Sequence, residues 1–189
     1  MLDQRERRRF TPEEYLMLEE QALTKSEYYD GEIFAMTGGS LNHNLIQNNI
    51  YRALHAGVPS HCKVYTADVR LLVEKSTLYT YPDLVVVCGA PRLLGKRKDT
   101  VTDARMIVEI LSPSTEIYDR KLKFNLYRGL PSLEYYVLVA QDEFLVDRHH
   151  RQPNGDWVWR QSTRLEEKLE LPTLDLSIPL AEIYANLEP

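Results

Sequence analysis

A chain of 189 residues and 22.0 kDa, 43% hydrophobic and 27% charged, has the composition of an ordinary soluble globule and not of a disordered polymer, and residues 1–189 are expected to form a single domain. No apolar run approaches the ~20 residues a membrane-crossing helix needs, and the charged start, Met1 to Arg9, lacks the apolar stretch of a secretory signal. The net charge of −5 argues against a nonspecific nucleic-acid coat, although residues 92–128 carry 9 basic and 5 acidic side chains, which suits either a local phosphate-facing patch or a solvated basic loop. In chain order, Thr11-Pro12-Glu13-Glu14 holds a capping box with proline at the first helical position. Phe10 and Tyr15 are placed as a hydrophobic staple, so a helix is predicted to about Gln21. Glu27–Tyr29 and Ile33–Met36 read as short strands joined at Asp30-Gly31, a hairpin turn signal. Gly38-Gly39 breaks that pattern, and Ser40 caps a second helix whose Leu41, Leu45, Ile50 and Leu54 are spaced for one buried side.

From Val64 the texture changes to strands. Val69, Leu71 and Val73 alternate with Arg70, Leu72 and Glu74, as in a half-buried strand. The cysteines, Cys62 and Cys88, lie far apart in sequence and make no disulfide framework, so a reduced, cytoplasmic protein is expected. Leu84–Cys88 and Met106–Leu111 are near-continuous apolar runs and read as central strands covered on both faces. Residues 91–104 read as a polar loop. Ser112 is placed to cap a third helix of about Glu116–Arg128, stopped by Gly129 and Pro131. Tyr135–Val139, Phe144–Arg148 and Trp157–Gln161 suggest a meander with a turn at Asn154-Gly155, and a short helix near Leu180–Asn186 closes the chain. Strands, one helix and more strands predict an α/β (α+β) fold, a mixed sheet flanked by helices.

Two carboxylates interrupt this apolar pattern. Glu109 shares a strand face with Ile107 and Leu111, so it is expected under cover, where an unpaired carboxylate costs several kcal/mol. It must be protonated, paired with a cation or bound to metal. Asp83 opens the run Leu84-Val85-Val86-Val87 directly after Pro82, the place of a strand-start turn former as well as of a ligand. On the third helix, a wheel of about 100° per residue puts Tyr118, Leu122 and Leu126 at the apolar centre. Lys123 then falls at the margin of the packed face, with Asp119 four residues before it, and Lys121 falls in water. Two carboxylates at neighbouring strand positions suit Mg²⁺, which keeps waters and takes few protein ligands. A nearby ammonium would stabilise the charge of a phosphoryl transition state. Zinc has no such support, since His61-Cys62 and His149-His150 are adjacent pairs without matching partners.

At these residues the chain resembles the PD-(D/E)XK nuclease superfamily and, within it, the Uma-two endonuclease family. The resemblance is carried by Tyr81-Pro82-Asp83, by Val108-Glu109-Ile110-Leu111-Ser112-Pro113-Ser114-Thr115, by Asp119 through Lys123 to Tyr127, and by Gly129 followed by Glu134-Tyr135-Tyr136. Glu27-Tyr28-Tyr29-Asp30-Gly31-Glu32 and His43 also look like family positions. The resemblance implies a restriction-endonuclease-like fold, Mg²⁺ or Mn²⁺ at Asp83 and Glu109, DNA as partner, and Lys123 as the catalytic lysine. One position departs: two residues after Glu109, where the superfamily has lysine, stands Leu111, and the lysine maps onto Lys123 of the following helix. Glu27, Glu32 and His43 are accessory.

The functional expectation is a Mg²⁺-dependent endodeoxyribonuclease, a hydrolase acting as a homodimer, because a double-strand cut needs two sites. The alternative is a catalytically degenerate nuclease fold that binds DNA or serves as a scaffold, with Glu109 simply paired to Lys123. Metal binding coupled to strand cleavage separates the first from the second.

Overall fold

The structure, a computed structural model, describes residues 8–36 and 38–187. Helix α1 (Pro12–Gln21) begins as its sequence requires: the Thr11 hydroxyl accepts from the Glu14 backbone, and the Glu14 carboxylate accepts from the Thr11 N–H. Strands β1 (Ser26–Tyr29) and β2 (Glu32–Ala35) form the expected hairpin, with Asp30 and Gly31 both at positive φ, as a tight turn between right-twisted strands demands. Helix α2 (Leu41–Gly57) is capped by the Ser40 hydroxyl. Its buried side is Ile46, Asn49, Ile50 and Leu54, whereas Leu41, expected inside, is exposed in the first turn before the helix meets the sheet.

The remaining elements build two mixed sheets face to face. Strands β3 (Cys62–Thr66), β4 (Arg70–Val73), β5 (Leu78–Thr80), β6 (Leu84–Cys88), β7 (Thr100–Val101) and β8 (Met106–Leu111) precede helix α3 (residues 116–127). After it come β9 (Tyr135–Ala140), β10 (Val146–Arg151), β11 (Trp157–Ser162), β12 (Lys168–Leu171), β13 (Leu176–Pro179) and α4 (Leu180–Ile183). The larger sheet has the order β11-β10-β9-β8-β6-β3, with β8 and β9 parallel and its other neighbours antiparallel. The smaller has the order β2-β1-β5-β4-β7, and β12 with β13 forms a separate hairpin.

Three apolar layers follow from strand alternation. Val86, Met106 and Val108 on one face of the larger sheet pack against Ile46, Ile50 and Leu54 of α2 and against Leu169, Ile178 and Ile183. Val85, Val87, Ile107 and Leu111 on the other face meet Leu71, Val73 and Leu78 of the smaller sheet and Tyr127 of α3. Tyr15, Tyr28, Leu72 and Tyr79 bind α1 to the outer face of the smaller sheet. Each such fully buried aliphatic side chain contributes ~1.5–3 kcal/mol. Strands β6 and β8 are therefore covered on both sides, as their unbroken apolar runs predict.

Several expectations are corrected. The loop at 91–104 contains β7, whose Thr100 and Val101 are buried and pair in parallel with Arg70 and Leu71. Strand β4 is buried along its whole length, because sheet and α1 cover both of its faces. The β12–β13 hairpin lies where no strand was expected. Cys62 and Cys88 are directly opposite one another on β3 and β6 and form a disulfide across a sequence separation of 26. Antiparallel pairing of β3 with β6 removes the distance that the sequence places between them. Among the described residues, no helix is long and apolar enough to cross a membrane.

Candidate functional site

Asp83 immediately precedes β6, and Glu109 lies on β8, which pairs with β6 through Leu84 and Val108. The two acids are bound reciprocally. The Ile110 N–H donates to Asp83 Oδ2 at 2.7 Å, and the Asp83 N–H points to Glu109 Oε2 at 3.4 Å. From the opposite side α2 supplies two residues one turn apart. His43 Nε2 lies 3.0 Å from Asp83 Oδ1, and the Gln47 amide donates to the Asp83 carbonyl at 2.9 Å. Gly39 allows this approach, since a Cβ there would stand 2.7 Å from the His43 ring.

Helix α3 brings the cation. It runs as an α-turn (Glu116–Tyr118), a π-turn (Asp119–Lys123) and a second α-turn (Phe124–Tyr127). In an α-helix a four-residue step drifts about 40° around the axis, and a wide π-turn reduces that drift. Asp119, Lys123 and Tyr127 thus come into line as the buried stripe, while Leu122 is exposed. The wheel prediction is corrected accordingly: Lys123 sits in the middle of the buried face, not at its margin. Lys121 is in solvent, as expected. Beside the stripe, Arg120 is held by Glu116 at 2.7 Å and by the fully buried Asp147, and the Tyr136 hydroxyl donates to the Asp119 carbonyl at 3.0 Å. Ser112 caps this helix through its carbonyl, which accepts from Glu116 N at 3.0 Å, and not through its hydroxyl.

The Lys123 ammonium lies 2.9 Å from Glu27 Oε1, 3.1 Å from Glu109 Oε1 and 3.3 Å from Asp119 Oδ1, with all four groups buried. Tyr127 donates to Glu109 Oε1 at 2.7 Å. Glu32, on the same face of the hairpin as Glu27 but toward its turn, is outside the cavity that these residues line. Of the six expected site residues, Asp83, Glu109, Lys123, Glu27 and His43 converge on one cavity of about 650 Å³, and Glu32 does not.

The balance of charge is uneven: Asp83, Glu109, Glu27 and Asp119 share the cavity with Lys123, His43 and Lys25, and Lys25 is paired with Asp68. Burial pushes the Glu109 carboxyl up to about 8 despite Lys123, with Asp119, Asp83 and Glu27 adding repulsion. Burial likewise raises Asp119 against the pull of Lys123. Burial opposes the charging of Lys123, but Glu109, Glu27 and Asp119 outweigh it and hold the ammonium charged. For His43 burial also opposes the proton, and the hydrogen bond and charge of Asp83 prevail to raise it.

This donor set suits a hard divalent cation. Asp83 and Glu109 bring two carboxylates to one cavity with surplus negative charge, and Mg²⁺ needs only one or two such ligands beside its waters. Among the described residues, no third His, Cys, Asp or Glu ligand atom converges with them; the triplet that does converge is His61, Cys62 and Cys88. Cys88 is thus the partner that the His61-Cys62 pair lacked in sequence, but both sulfurs are in the disulfide. His149 lies tilted against Phe124, and His150 is stacked on Tyr135. Part of the basic segment 92–128 is consumed internally, since Arg97 pairs with Glu20 and Asp99, Arg105 with Glu134, and Arg120 with Asp147, whereas Arg92, Lys96, Lys98, Lys121 and Arg128 are exposed. Asp119, Tyr127 and Gln47 were not among the expected site residues. Asp119-x₃-Lys123-x₃-Tyr127 is a polar stripe at helical spacing, which was the available signal.

This layered mixed sheet, with Glu109 on one central strand and Asp83 just before its neighbour, is a restriction-endonuclease-like fold. It superposes on the crystal structure of a "putative nuclease belonging to DUF820" from Anabaena variabilis ATCC 29413 with a TM-score of 0.74, covering 93% of this chain and 98% of that one; at 18% identity the likeness is one of fold. A family model, Uma2, described as "Putative restriction endonuclease", matches residues 12–181, and the chain belongs to that family. It is similar to two uncharacterized proteins of Synechocystis sp. (strain ATCC 27184 / PCC 6803 / Kazusa). The protein slr1290 is 37% identical over 95% of this chain and 93% of its own length, and sll1609 is 35% identical over 85% and 90%.

Proposed function

We propose that the protein is a divalent-metal-dependent DNA endonuclease in which Asp83 and Glu109 hold Mg²⁺ or Mn²⁺ and Lys123 assists hydrolysis of a phosphodiester. The observation that carries this reading is the buried Lys123 ammonium 3.1 Å from Glu109, in a cavity whose carboxylates outnumber its cations. When bound, the metal supplies Lewis acidity and a water of lowered pKa. Asp83, fixed by Ile110 N–H, His43 and Gln47, and Glu109, fixed by Tyr127 and Lys123, hold the ligand oxygens in place. Lys123, kept protonated by three carboxylates, donates to the oxygen on which negative charge develops and does not serve as a base. Leu111, two residues after Glu109, belongs to the apolar layer, so the ammonium comes from the helix facing the strand.

A homodimer belongs to this reading where both strands are cut, and light scattering reads it. The threefold pairing of Lys123 also favours the structural alternative, in which the Glu109–Lys123 pair only ties α3 to β8. Plasmid nicking with Mg²⁺ or Mn²⁺, with and without chelator, separates the two. Metal-dependent nicking lost in Asp83→Asn and Lys123→Ala supports the nuclease; no cleavage of the plasmid or of single-stranded DNA with either metal rejects it.

A further inference from the structure

The strand face that carries Glu27 also carries Phe34, its direct partner across the hairpin. Residues paired this way point to the same side with Cβ atoms ~5 Å apart, so Phe34 stands beside the carboxylate that touches Lys123. Phe34 lies on the edge strand β2, is 42% exposed and, among the described residues, belongs to none of the three apolar layers. It lines the cavity of Asp83 and Glu109, and Leu23, fully exposed, and Met36 continue the same wall. An apolar rim therefore overhangs a deeply set anionic floor: Glu109 is 4% exposed and Lys123 6%.

The cavity is about 650 Å³, within the roughly 300–1,000 Å³ of sites that enclose one small ligand. That is room for one nucleotide, base included, beside the carboxylates. Among the described residues its lining offers no unpaired cation for a phosphate backbone of either form, so contact with the nucleic acid falls to the apolar wall. Lys25 is taken by Asp68 and the Ala67 carbonyl, Lys123 by its three carboxylates, and His43 by Asp83. An unpaired base, by contrast, has an exposed face that an aromatic ring can cover, whatever the base.

Resting on the nuclease reading, we propose that the DNA strand cut here enters single-stranded, with a base next to the scissile phosphate stacked on Phe34. Phe34 is then a specificity-determining residue, and the site acts on unpaired DNA in preference to duplex. The test uses the full chain with Mn²⁺ and one oligonucleotide sequence, single-stranded or annealed, in parent, Phe34→Ala and Phe34→Trp. Fluorescence anisotropy with Ca²⁺ in place of Mn²⁺ reads binding apart from turnover, and circular dichroism checks folding. The expected result is kcat/KM at least ~10-fold higher on the single strand. Phe34→Ala should raise KM and Kd for that strand roughly 10-fold, within the range known for loss of a stacked base, and Phe34→Trp should restore both. Duplex cleaved as fast as single strand, or an unchanged Kd in Phe34→Ala, overturns the inference and leaves the nuclease intact. Cleavage of neither form, with Phe34-dependent binding of the single strand retained, rejects the nuclease and supports the stacking site.

Discussion

Removing the Lys123 ammonium tests the charge logic of the cavity more directly than any other change. Lys123→Ala leaves Glu27, Glu109 and Asp119 facing one another in a buried space, 2.9, 3.1 and 3.3 Å from where the ammonium stood. Breaking a buried ion pair from one side costs about 3–5 kcal/mol. The loss depends on pH, because the carboxylates can escape it by taking protons. Glu109 is already pushed up to about 8 with the lysine present, and Asp119 is raised too. For both acids the folded pKa lies above the unfolded one. Their contribution is present at low pH and is lost as pH rises through the folded value. Removing the lysine raises both further, so the variant's deficit should be about 3–5 kcal/mol at pH 8 and at least ~1 kcal/mol smaller at pH 5.5. The lysine also competes with a divalent cation for Glu109, so Mg²⁺ or Mn²⁺ should bind Lys123→Ala as tightly as the parent or more so. At 100 times its Kd the metal returns about 2.7 kcal/mol. Urea unfolding at the two pH values, with and without metal, reads all of this. The nicking rate should fall on the order of 100-fold, as when other preorganised charge stabilisers are removed. A stability change under ~1 kcal/mol at both pH values would falsify the counter-ion role, and equal nicking rates would remove the catalytic one.

Asp83→Asn and Glu109→Gln should each weaken Mg²⁺ or Mn²⁺ binding in calorimetric titration, because each removes one formal charge from the proposed shell; unchanged affinity in both ends the metal assignment. Asp147→Asn should cost about 2–3 kcal/mol in urea unfolding, since the buried carboxylate holds Arg120, Trp159 (2.8 Å) and Gln161 (3.0 Å). A loss under ~0.5 kcal/mol would show that α3 is anchored elsewhere. Burial lowers the pKa of His149, which Asp147 raises and Arg120 lowers further, so the unfolded chain binds its proton first as pH falls below about 6.5. That contribution is present above pH 6.5 and lost on acidification, so the stability difference between parent and His149→Gln should shift against the parent from pH 7.5 to 5.5; a pH-independent difference counts against it.

What the sequence made legible was whatever depends on local rules. The α1 capping box, the Asp30-Gly31 turn, the Ser40 cap and the double-sided burial of β6 and β8 all appear as expected, because caps, turns and unbroken apolar runs act over a few residues. The misses share a different cause. Strand β7 is two residues long and exists through its parallel pairing with β4, so no periodicity announces it. The Cys62–Cys88 bond likewise depends on which strand neighbours which, a non-local fact. Leu41 was assigned inside because the wheel counts residues and does not know where the helix first touches the sheet.

The site was legible as chemistry before it was legible as geometry. A carboxylate inside Met106–Leu111 demands a counter-charge, and this requirement restricts what lies opposite the strand, not which residue supplies it. Strand β8 presents Ile107, Glu109 and Leu111 to one face, and α3 lies across that face, so strand and helix both have access to the same space. Leu111 spends the strand position on the apolar layer, and the helix supplies the ammonium. A regular α-helix would leave Lys123 to one side of the stripe; the π-turn from Asp119 to Lys123 brings it under Glu109. Such a turn interrupts the i to i−4 ladder, and the Tyr136 hydroxyl bonded to the Asp119 carbonyl and Asp147 bonded to Arg120 supply part of the lost support. Both supports come from the meander β9–β10, distant in sequence from the helix. The migrated lysine is therefore a property of the helix together with the strands that hold it, which explains why its burial could not be read from the wheel.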